Sequence, residues 1–384
     1  MLSRDVSGSG SGRFGVQLDP MHATVRHSHP RSPRRASQRR RASAFGALLG
    51  SLLAIVAVVV ATLGLRHHHA SALASGPTKP HPHATSNTGP VANLSPVGRL
   101  ADAVSSAAVV ADSSGGASFL GGLDTASTPI ATVQSFNGST TSAVGTLPAP
   151  LASAGAAVLD GTTYLFGGSG TAGPTSDIVA LGTGDSSATI AGSLPQPTAG
   201  AAVVASGDTA YVIGGSDGTS DLSSIVSWNP TAGASTVASL PQPVADAAAV
   251  AYGGVIYVIG GADDGATLYA IYRFDPATKT VAKIAELPIA LTQPAAAVED
   301  GSIIVLGGCR AVGADQSGAV YAFSPATSQV KLVGLLPVRL AGAMAISLPR
   351  GILLAGGVEP SGQTNSTIYR VEIGDRPAKS PASG

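Results

Sequence analysis

The sequence has little cysteine, few aromatic residues and little charge. Its single cysteine excludes an intrachain disulfide framework and a zinc site built from several cysteines. Aromatic residues make up 4% of the chain and charged residues 11%, whereas about a quarter of the residues of an ordinary domain are charged. A nucleic-acid partner requires a basic field that this composition lacks, so we expect no nucleic acid.

Glycine and proline are abundant by contrast. The 384 residues include 49 Gly and 26 Pro, and both residue types disfavour the interior of a helix. This composition argues against a helical bundle or a coiled coil. The length exceeds one average domain, although a closed all-β domain can take up most of it. High alanine with little lysine is typical of a bacterium with a GC-rich genome.

The formal net charge of zero hides a segregation of charge along the chain. Residues 1–41 hold nine Arg and two Asp, whereas residues 42–384 hold seven more acidic than basic groups. The run 42–65 between them is uncharged, and its core, residues 45–65, is long enough to cross about 30 Å of hydrocarbon as a helix. The arginines before it favour a cytoplasmic N-terminus. We therefore predict a single-pass signal anchor in the cell membrane, with the rest of the chain outside.

A cleaved signal peptide is the alternative, because small residues at 70–72 and 72–74 resemble cleavage sites. The long basic region and the long apolar run favour the uncleaved anchor. Residues 1–41 and 376–384 are predicted to be disordered tails, and residues 66–89 a linker rich in Pro, His and Ser. Histidine-rich tracts can bind metal, but here we favour a solvated spacer and expect no metal site.

A repeat organises the remainder of the chain. Double glycines follow an apolar run six times, and their first members are 46, 47, 46, 47 and 49 residues apart. A Leu-Pro pair recurs at 147, 194, 240, 287 and 336, and each of these leucines is followed 20 residues later by a double glycine. The paired glycines are Gly121 and Gly122, Gly167 and Gly168, Gly214 and Gly215, Gly260 and Gly261, Gly307 and Gly308, and Gly356 and Gly357.

Each repeat predicts four strands. An Ala-rich run follows Leu-Pro, a second run leads into the glycines, a third ends in an aromatic residue and a turn, and a fourth returns to Leu-Pro. Six such units of about 47 residues predict an all-β, six-bladed β-propeller over residues 90–375. The third strands end at Trp228, Phe274 and Phe323 in three of the units.

Three features of the repeat resemble those of kelch repeats: the apolar run into Gly-Gly, the aromatic turn and the closing Leu-Pro. The resemblance implies a kelch-type propeller. The second unit departs from it, with residues 181–184 where the aromatic turn belongs, and the usual fourth-strand Trp is missing throughout. Kelch-like propellers include a copper enzyme, galactose oxidase, that uses histidines, and all eight histidines here precede the repeats.

Closure of the ring can also be predicted. The last unit lacks a fourth strand, and residues 91–96 before the first unit read as one. We expect them to complete the last blade beside residues 367–372 and to remove an exposed edge. Leu94, taken as the first closing leucine, lies 27 residues before Gly121, so extra residues in 97–103 and 113–116 must account for the difference.

All twelve glycines are interpreted as structural, because glycine permits a positive φ and a close backbone approach. The Ala-rich first strands should lie nearest the axis, where small side chains fit. Cys309 lies between Gly308 and Arg310. A neighbouring arginine can lower the pKa of a thiol and make it reactive; the alternative is that Cys309 is a small residue that fills space in the loop. Without histidine in the repeats, a Ser-His-Asp or Cys-His site is excluded, and we predict no catalytic residue and no cofactor.

Charged residues in the loops after the glycines are the candidate binding residues. On one face of a propeller they would form an acidic rim, which could serve calcium binding or glycoside chemistry, although no calcium-loop motif is present. We predict that the protein is an extracytoplasmic interaction module, not an enzyme, and that it binds an unknown protein or glycan partner. One alternative is an envelope carbohydrate-active enzyme without histidine chemistry. The other is a structural subunit of a membrane complex. The candidates are Asp217, Asp221, Asp263, Asp264, Arg310, Asp315 and Glu359.

Overall fold

A computed structural model describes residues 90–112, 115–182 and 188–375. In these residues the chain forms 30 strands and no helix, so they include no helix that could span a membrane. The predicted tails, membrane segment and linker lie outside the described residues. The all-β prediction for the repeats is confirmed.

The strands form six four-stranded antiparallel sheets within the described residues, and each sheet is one blade. The described residues begin with β1 (Pro90–Arg99). Blade 1 contains β2 (Ala108–Ala111), β3 (Ala117–Leu120), β4 (Thr132–Phe136) and β5 (Thr141–Thr146). Blade 2 contains β6 (Gly155–Leu159), β7 (Thr162–Phe166), the hairpin β8 (Ser169–Gly170) and β9 (Gly173–Pro174), β10 (Asp177–Leu181) and β11 (Ala188–Ser193). Blade 3 contains β12 (Ala202–Ser206), β13 (Thr209–Ile213), β14 (Ser224–Asn229) and β15 (Gly233–Ser239).

The second half of the ring follows the same plan. Blade 4 contains β16 (Ala248–Tyr252), β17 (Val255–Ile259), the hairpin β18 (Ala262–Asp263) and β19 (Ala266–Thr267), β20 (Ala270–Asp275) and β21 (Thr280–Glu286). Blade 5 contains β22 (Ala295–Glu299), β23 (Ser302–Leu306), the hairpin β24 (Cys309–Ala311) and β25 (Ala314–Gln316), β26 (Ala319–Ser324) and β27 (Gln329–Leu335). Blade 6 contains β28 (Met344–Leu348), β29 (Gly351–Ala355) and β30 (Thr367–Asp375), and β1 is its fourth strand.

The six blades form a closed ring. The first strand of each blade contacts the first strand of both neighbouring blades, and the contact between β28 and β2 completes the circle. These innermost strands are the Ala-rich runs, because small side chains fit where six strands converge. The prediction that they lie nearest the axis is confirmed.

The ring is fastened by the pairing of β1 with β30. The two strands run antiparallel, with Asn93 opposite Glu372 and Arg99 opposite Thr367. The N-terminal strand thereby becomes the outermost strand of the last blade, as predicted. This pairing satisfies backbone groups that would otherwise form an open edge on β30.

The first repeat is one residue longer than the others, since Leu100 lies 21 residues before Gly121, and the assignment of Leu94 as its closing leucine was wrong. Leu94 lies within β1. Leu100 takes the equivalent position, because it is buried and its N–H donates to the carbonyl of Ser366 at 2.7 Å. Leu147 makes the same bond to Ala131 at 2.8 Å. Leu100 precedes an alanine rather than a proline, so the Leu-Pro mark did not reveal it.

The hydrophobic core consists of six clusters, each between two adjacent blades. Trp228, only 2% exposed, packs edge-on against Tyr164 and Phe166 of the preceding blade, with ring centroids 4.6 and 5.3 Å away. Phe274 packs in the same way on Tyr211. The third-strand aromatics therefore join neighbouring blades, and Trp228 lies near the end of β14.

Each double glycine contacts the chain segment that enters the next blade, and we call this contact the clasp. The N–H of Gly215 donates at 2.9 Å to the carbonyl of Val244, which lies in the segment that enters blade 4. Gly214 has a φ of 63°, and a Cβ atom at this position would lie 1.9 Å from that same oxygen. The other five pairs repeat the arrangement, with the Cβ position of the first glycine 2.1–2.3 Å from the accepting oxygen. At these positions glycine thus permits a close backbone contact between blades.

A comparison of two glycines tests this account. Gly207 has a φ of 64° but no atom within 4 Å of its Cβ position, whereas Gly214 has nearly the same φ and a clash. We expect Gly207→Ala to lower the free energy of unfolding by about 1 kcal/mol, the cost of a left-handed residue. Gly214→Ala should lower it by roughly 4 kcal/mol or more, as large steric defects do.

The measurement is equilibrium unfolding of both variants in denaturant. Equal losses in the two variants would mean that the backbone angle alone, and not the contact with Val244, makes glycine necessary at the clasp.

Candidate functional site

One face of the ring carries both the loops after the double glycines and the segments that lead into the innermost strands. Successive strands are antiparallel, so these connections come to the same end of every blade. The pairing of Ala245 with Ala262, through two backbone hydrogen bonds of 2.7 and 2.8 Å, shows that the two kinds of segment lie side by side. We call this surface the crown face. All seven candidate residues lie in or next to its loops.

Asp217 shapes its own loop. Its Oδ1 accepts hydrogen bonds from the N–H and the hydroxyl of Thr219, at 2.8 and 2.6 Å, and from the N–H of Ser220 at 2.8 Å. These bonds, chiefly that of the Thr219 hydroxyl, lower the pKa of the carboxyl. The residue is thus an ionised turn former.

Asp221 joins two blades. Its Oδ2 accepts a hydrogen bond of 2.8 Å from the N–H of Asp264, which has a φ of 47° in the turn between β18 and β19. Asp263 ends β18 beside it. The structure therefore brings these three carboxylates to adjacent loops of blades 3 and 4.

The candidates of blades 5 and 6 have local partners. Arg310 and Asp315 form an ion pair of 2.7 Å between β24 and β25, and this bond raises the pKa of Arg310. Glu359 accepts a bond of 2.7 Å from the side-chain amide of Asn365. The partners of these residues lie within their own loops, whereas Asp221 and Asp264 are joined across two blades.

Cys309 is a filler rather than a reactive thiol. It is fully buried, and burial raises the pKa of its thiol. The neighbouring Arg310 does not offset this effect, because its guanidinium is paired with Asp315. A reactive cysteine requires the opposite shift and access to solvent.

Six residues, one from each blade, form a closed ring of backbone hydrogen bonds around the axis. In each bond the N–H of one residue donates to the carbonyl of its neighbour, with distances of 2.8 to 3.1 Å. All six have a left-handed backbone, with φ between 51° and 65°. This axial ring consists of Ser106, Ser153, Gly200, Asp246, Gln293 and Gly342.

The axial ring surrounds a cavity of about 110 Å³ at the centre of the crown face. Each ring residue and the small residue after it line this axial cavity, and those following residues are five alanines and Pro294. The walls therefore combine small apolar side chains with the polar groups of Ser106, Ser153, Asp246 and Gln293. Asp246 is the one charged residue among the twelve that line it.

The carboxyl of Asp246 lies over Gly200. A Cβ atom at Gly200 would be 2.5 Å from Oδ1 of Asp246, so the glycine makes room for the carboxyl. Burial raises the pKa of Asp246, the hydrogen bond from the Gln293 side chain lowers it, and the negative charge of Asp221 raises it further. The net direction is upward. None of the ion pairs among the described residues includes Asp246.

Asp246 was missed from the sequence, although a signal for it exists. It follows Leu240 by six residues, and every axial-ring residue follows the closing leucine of its blade by the same interval. Aligning the repeats at this position gives Ser, Ser, Gly, Asp, Gln and Gly. The single charge in that column marks Asp246, which lies outside the loops after the glycines.

Asp246→Asn tests the environment of this carboxyl. Because the native pKa is raised, the native state holds a proton that the unfolded state releases above about pH 4. The free energy of unfolding of the wild type therefore falls as the pH rises, because the unfolded state releases this proton more readily than the native state. The Asn side chain does not titrate, so Asp246→Asn does not lose stability in this way. We expect Asp246→Asn to raise the melting temperature relative to wild type, with a larger gain at pH 7 than at about pH 4.

Thermal melts at both pH values provide the measurement, and Asp208→Asn on the opposite face is the matched control. A gain that is independent of pH, or one that Asp208→Asn reproduces, would contradict this account.

Comparisons with known proteins agree with the fold. A kelch-motif family model matches residues 197–238 and 243–288, which correspond to blades 3 and 4. No curated protein matches the chain in sequence. Among solved structures 625 chains match, so the fold is common. One of them is the structure of YjhT, with a TM-score of 0.63, 17% sequence identity, and coverage of 72% of this chain and 99% of that chain. At this identity the likeness shows the fold alone. The described residues thus form a six-bladed β-propeller whose third and fourth blades match the kelch motif.

Proposed function

We propose that the protein is an interaction module that binds a protein partner on its crown face. Kelch propellers are in general interaction modules. The observation that supports the crown face is the connection of its loops across blades: Asp221 of blade 3 holds the backbone of Asp264 in blade 4, and the hydroxyl of Thr364 donates to the carbonyl of Asp124 at 3.4 Å. Loops held in this way offer a preorganised surface.

The two ends of the blades differ in the surface they offer. On the crown face ten residues separate β13 from β14, and eleven separate β29 from β30. At the other end two residues join β12 to β13, and two join β16 to β17. Tight hairpin turns present little irregular surface, whereas the longer crown loops provide the shape on which recognition depends.

A protein partner fits the crown face better than a glycan. Glycan sites commonly offer open aromatic faces, and Trp228 is buried between blades. Tyr269 is 47% exposed next to the crown loop of blade 4, but the ammonium of Lys283 lies 5.2 Å from the centre of its ring. The proposal also includes the location predicted from the sequence, with residues 45–65 anchoring the module in the cell membrane and the propeller outside.

Site-specific photo-crosslinking in the cells that produce the full chain tests this proposal. A photoreactive amino acid replaces Thr171 or Ser361, both exposed in crown loops. The matched control positions are Ala232 and Thr278, exposed in turns at the opposite end. We expect a discrete adduct with another protein from the crown positions and none from the controls. Adducts from the control positions alone, or from none of the four, would refute the crown face as the binding surface.

A further inference from the structure

The axial cavity contains a carboxyl group without a counter-ion. Asp246 receives a hydrogen bond from Gln293, but no Lys or Arg among the described residues forms an ion pair with it. Asp246 is partly exposed, and even partial removal of a carboxyl from water is unfavourable unless a charge or a strong donor compensates it. Four of the five other blades have serine or glycine at this position and Gln293 occupies the fifth, so the ring itself does not require a charge there.

Blades 1 to 3 and the first half of blade 4 supply no cation to the cavity; in the rest of the ring Arg310 is paired with Asp315, and Arg339 lies exposed three residues before Gly342. Residues 100–272, which include blades 1 to 3 and the first half of blade 4, contain twelve Asp and no Lys, Arg, His or Glu. The described cations are Arg99 in β1 and eight residues between 273 and 370. One side of the crown face is therefore uniformly negative, and such a field attracts a cation from outside.

The shape of the cavity limits what can enter it. Gly200 and Gly342 contribute no side chain, while Ser106 and Ser153 contribute hydroxyl groups and Gln293 an amide. The Oγ of Ser106 would lie 3.0 Å from a Cβ atom at Gly342, so this hydroxyl also lies over a glycine. A volume of about 110 Å³ has room for the head of one side chain, and the cavity opens to solvent on the crown face.

We propose that the axial cavity seats the cationic head of one Lys or Arg side chain of the protein partner, with the carboxylate of Asp246 as its counter-ion. The inference rests on the proposed function, because it names the chemistry by which the crown face recognises its partner. The surrounding carboxylates attract the basic segment, and the cavity selects one side chain from it. The hydroxyls of Ser106 and Ser153 and the amide oxygen of Gln293 are further acceptors for its N–H groups.

A pair of short peptides tests the cation directly. The probe is a fluorescein-labelled Gly-Ser-Arg-Ser-Gly peptide, and its control carries citrulline, which has the shape of arginine without its charge. A lysine peptide compares an ammonium with a guanidinium. We expect the full-length protein to bind the arginine or the lysine peptide at least roughly tenfold more tightly than the citrulline peptide, as truncation of a buried charge pair suggests. Anisotropy titrations measure this ratio.

The variants Asp246→Asn and Asp246→Ser should bring the ratio to about one. The serine variant copies the residues of blades 1 and 2 at this position, so it should preserve the fold. Asp208→Asn removes the same charge from the opposite face and should leave the ratio unchanged. Three results would each overturn the inference: no preference of the wild type for a cationic peptide, a preference that survives in both Asp246 variants, or an equal loss in Asp208→Asn.

Crosslinking from Thr171 and Ser361 separates this inference from the proposed function. If wild type gives an adduct and Asp246→Asn gives the same adduct in the same yield, the crown face binds a partner but the axial cation seat is wrong. If the wild type gives no adduct, the proposed function fails, whereas the peptide titrations still report on the cavity. A strong loss of adduct in Asp246→Asn, but not in Asp208→Asn, supports both.

Discussion

The contact between one blade and the next at the double glycine is the constraint on which the structure depends. A single carbonyl, such as that of Val244, accepts the N–H of Gly215 and lies against the Cα of Gly214 with no room for a side chain. The same contact is made six times, so each blade is held to the next in the same way. The ring can then close, and β1 completes the last blade beside β30.

The axial ring depends on the same contact. Val244 lies two residues before Asp246, so the segment that the clasp holds also delivers the ring residue to the axis. Four ring residues other than glycine adopt a left-handed backbone, a conformation that costs about 1 kcal/mol or more each. The clasp on one side and the cyclic hydrogen bonds on the other hold them there. The cavity and the carboxyl of Asp246 are consequences of that geometry.

The backbone of the propeller repeats, but its chemistry does not. Equivalent positions of the axial ring carry Ser, Ser, Gly, Asp, Gln and Gly, and the cations of the described blades lie almost entirely in the second half of the ring. A repeated frame therefore presents a face whose charge differs from one side to the other. Such asymmetry orients a partner on an otherwise near-symmetric surface.

The sequence by itself determined the number of blades, the closing strand and the role of the glycines, because each follows from residues at a constant spacing along the chain. It also indicated the loops of the crown face, since Asp217 and Arg310 each lie two residues after a double glycine. Only the tertiary structure decided which charge lies at the axis, because the neighbours of Asp246 are Gly200, Gln293 and Asp221, from other parts of the ring. It likewise showed Leu100 as the first closing leucine, whose mark is a bond to Ser366 at the far end of the chain. Spacing reveals what recurs within a repeat, whereas contacts between blades arise only once the ring is closed.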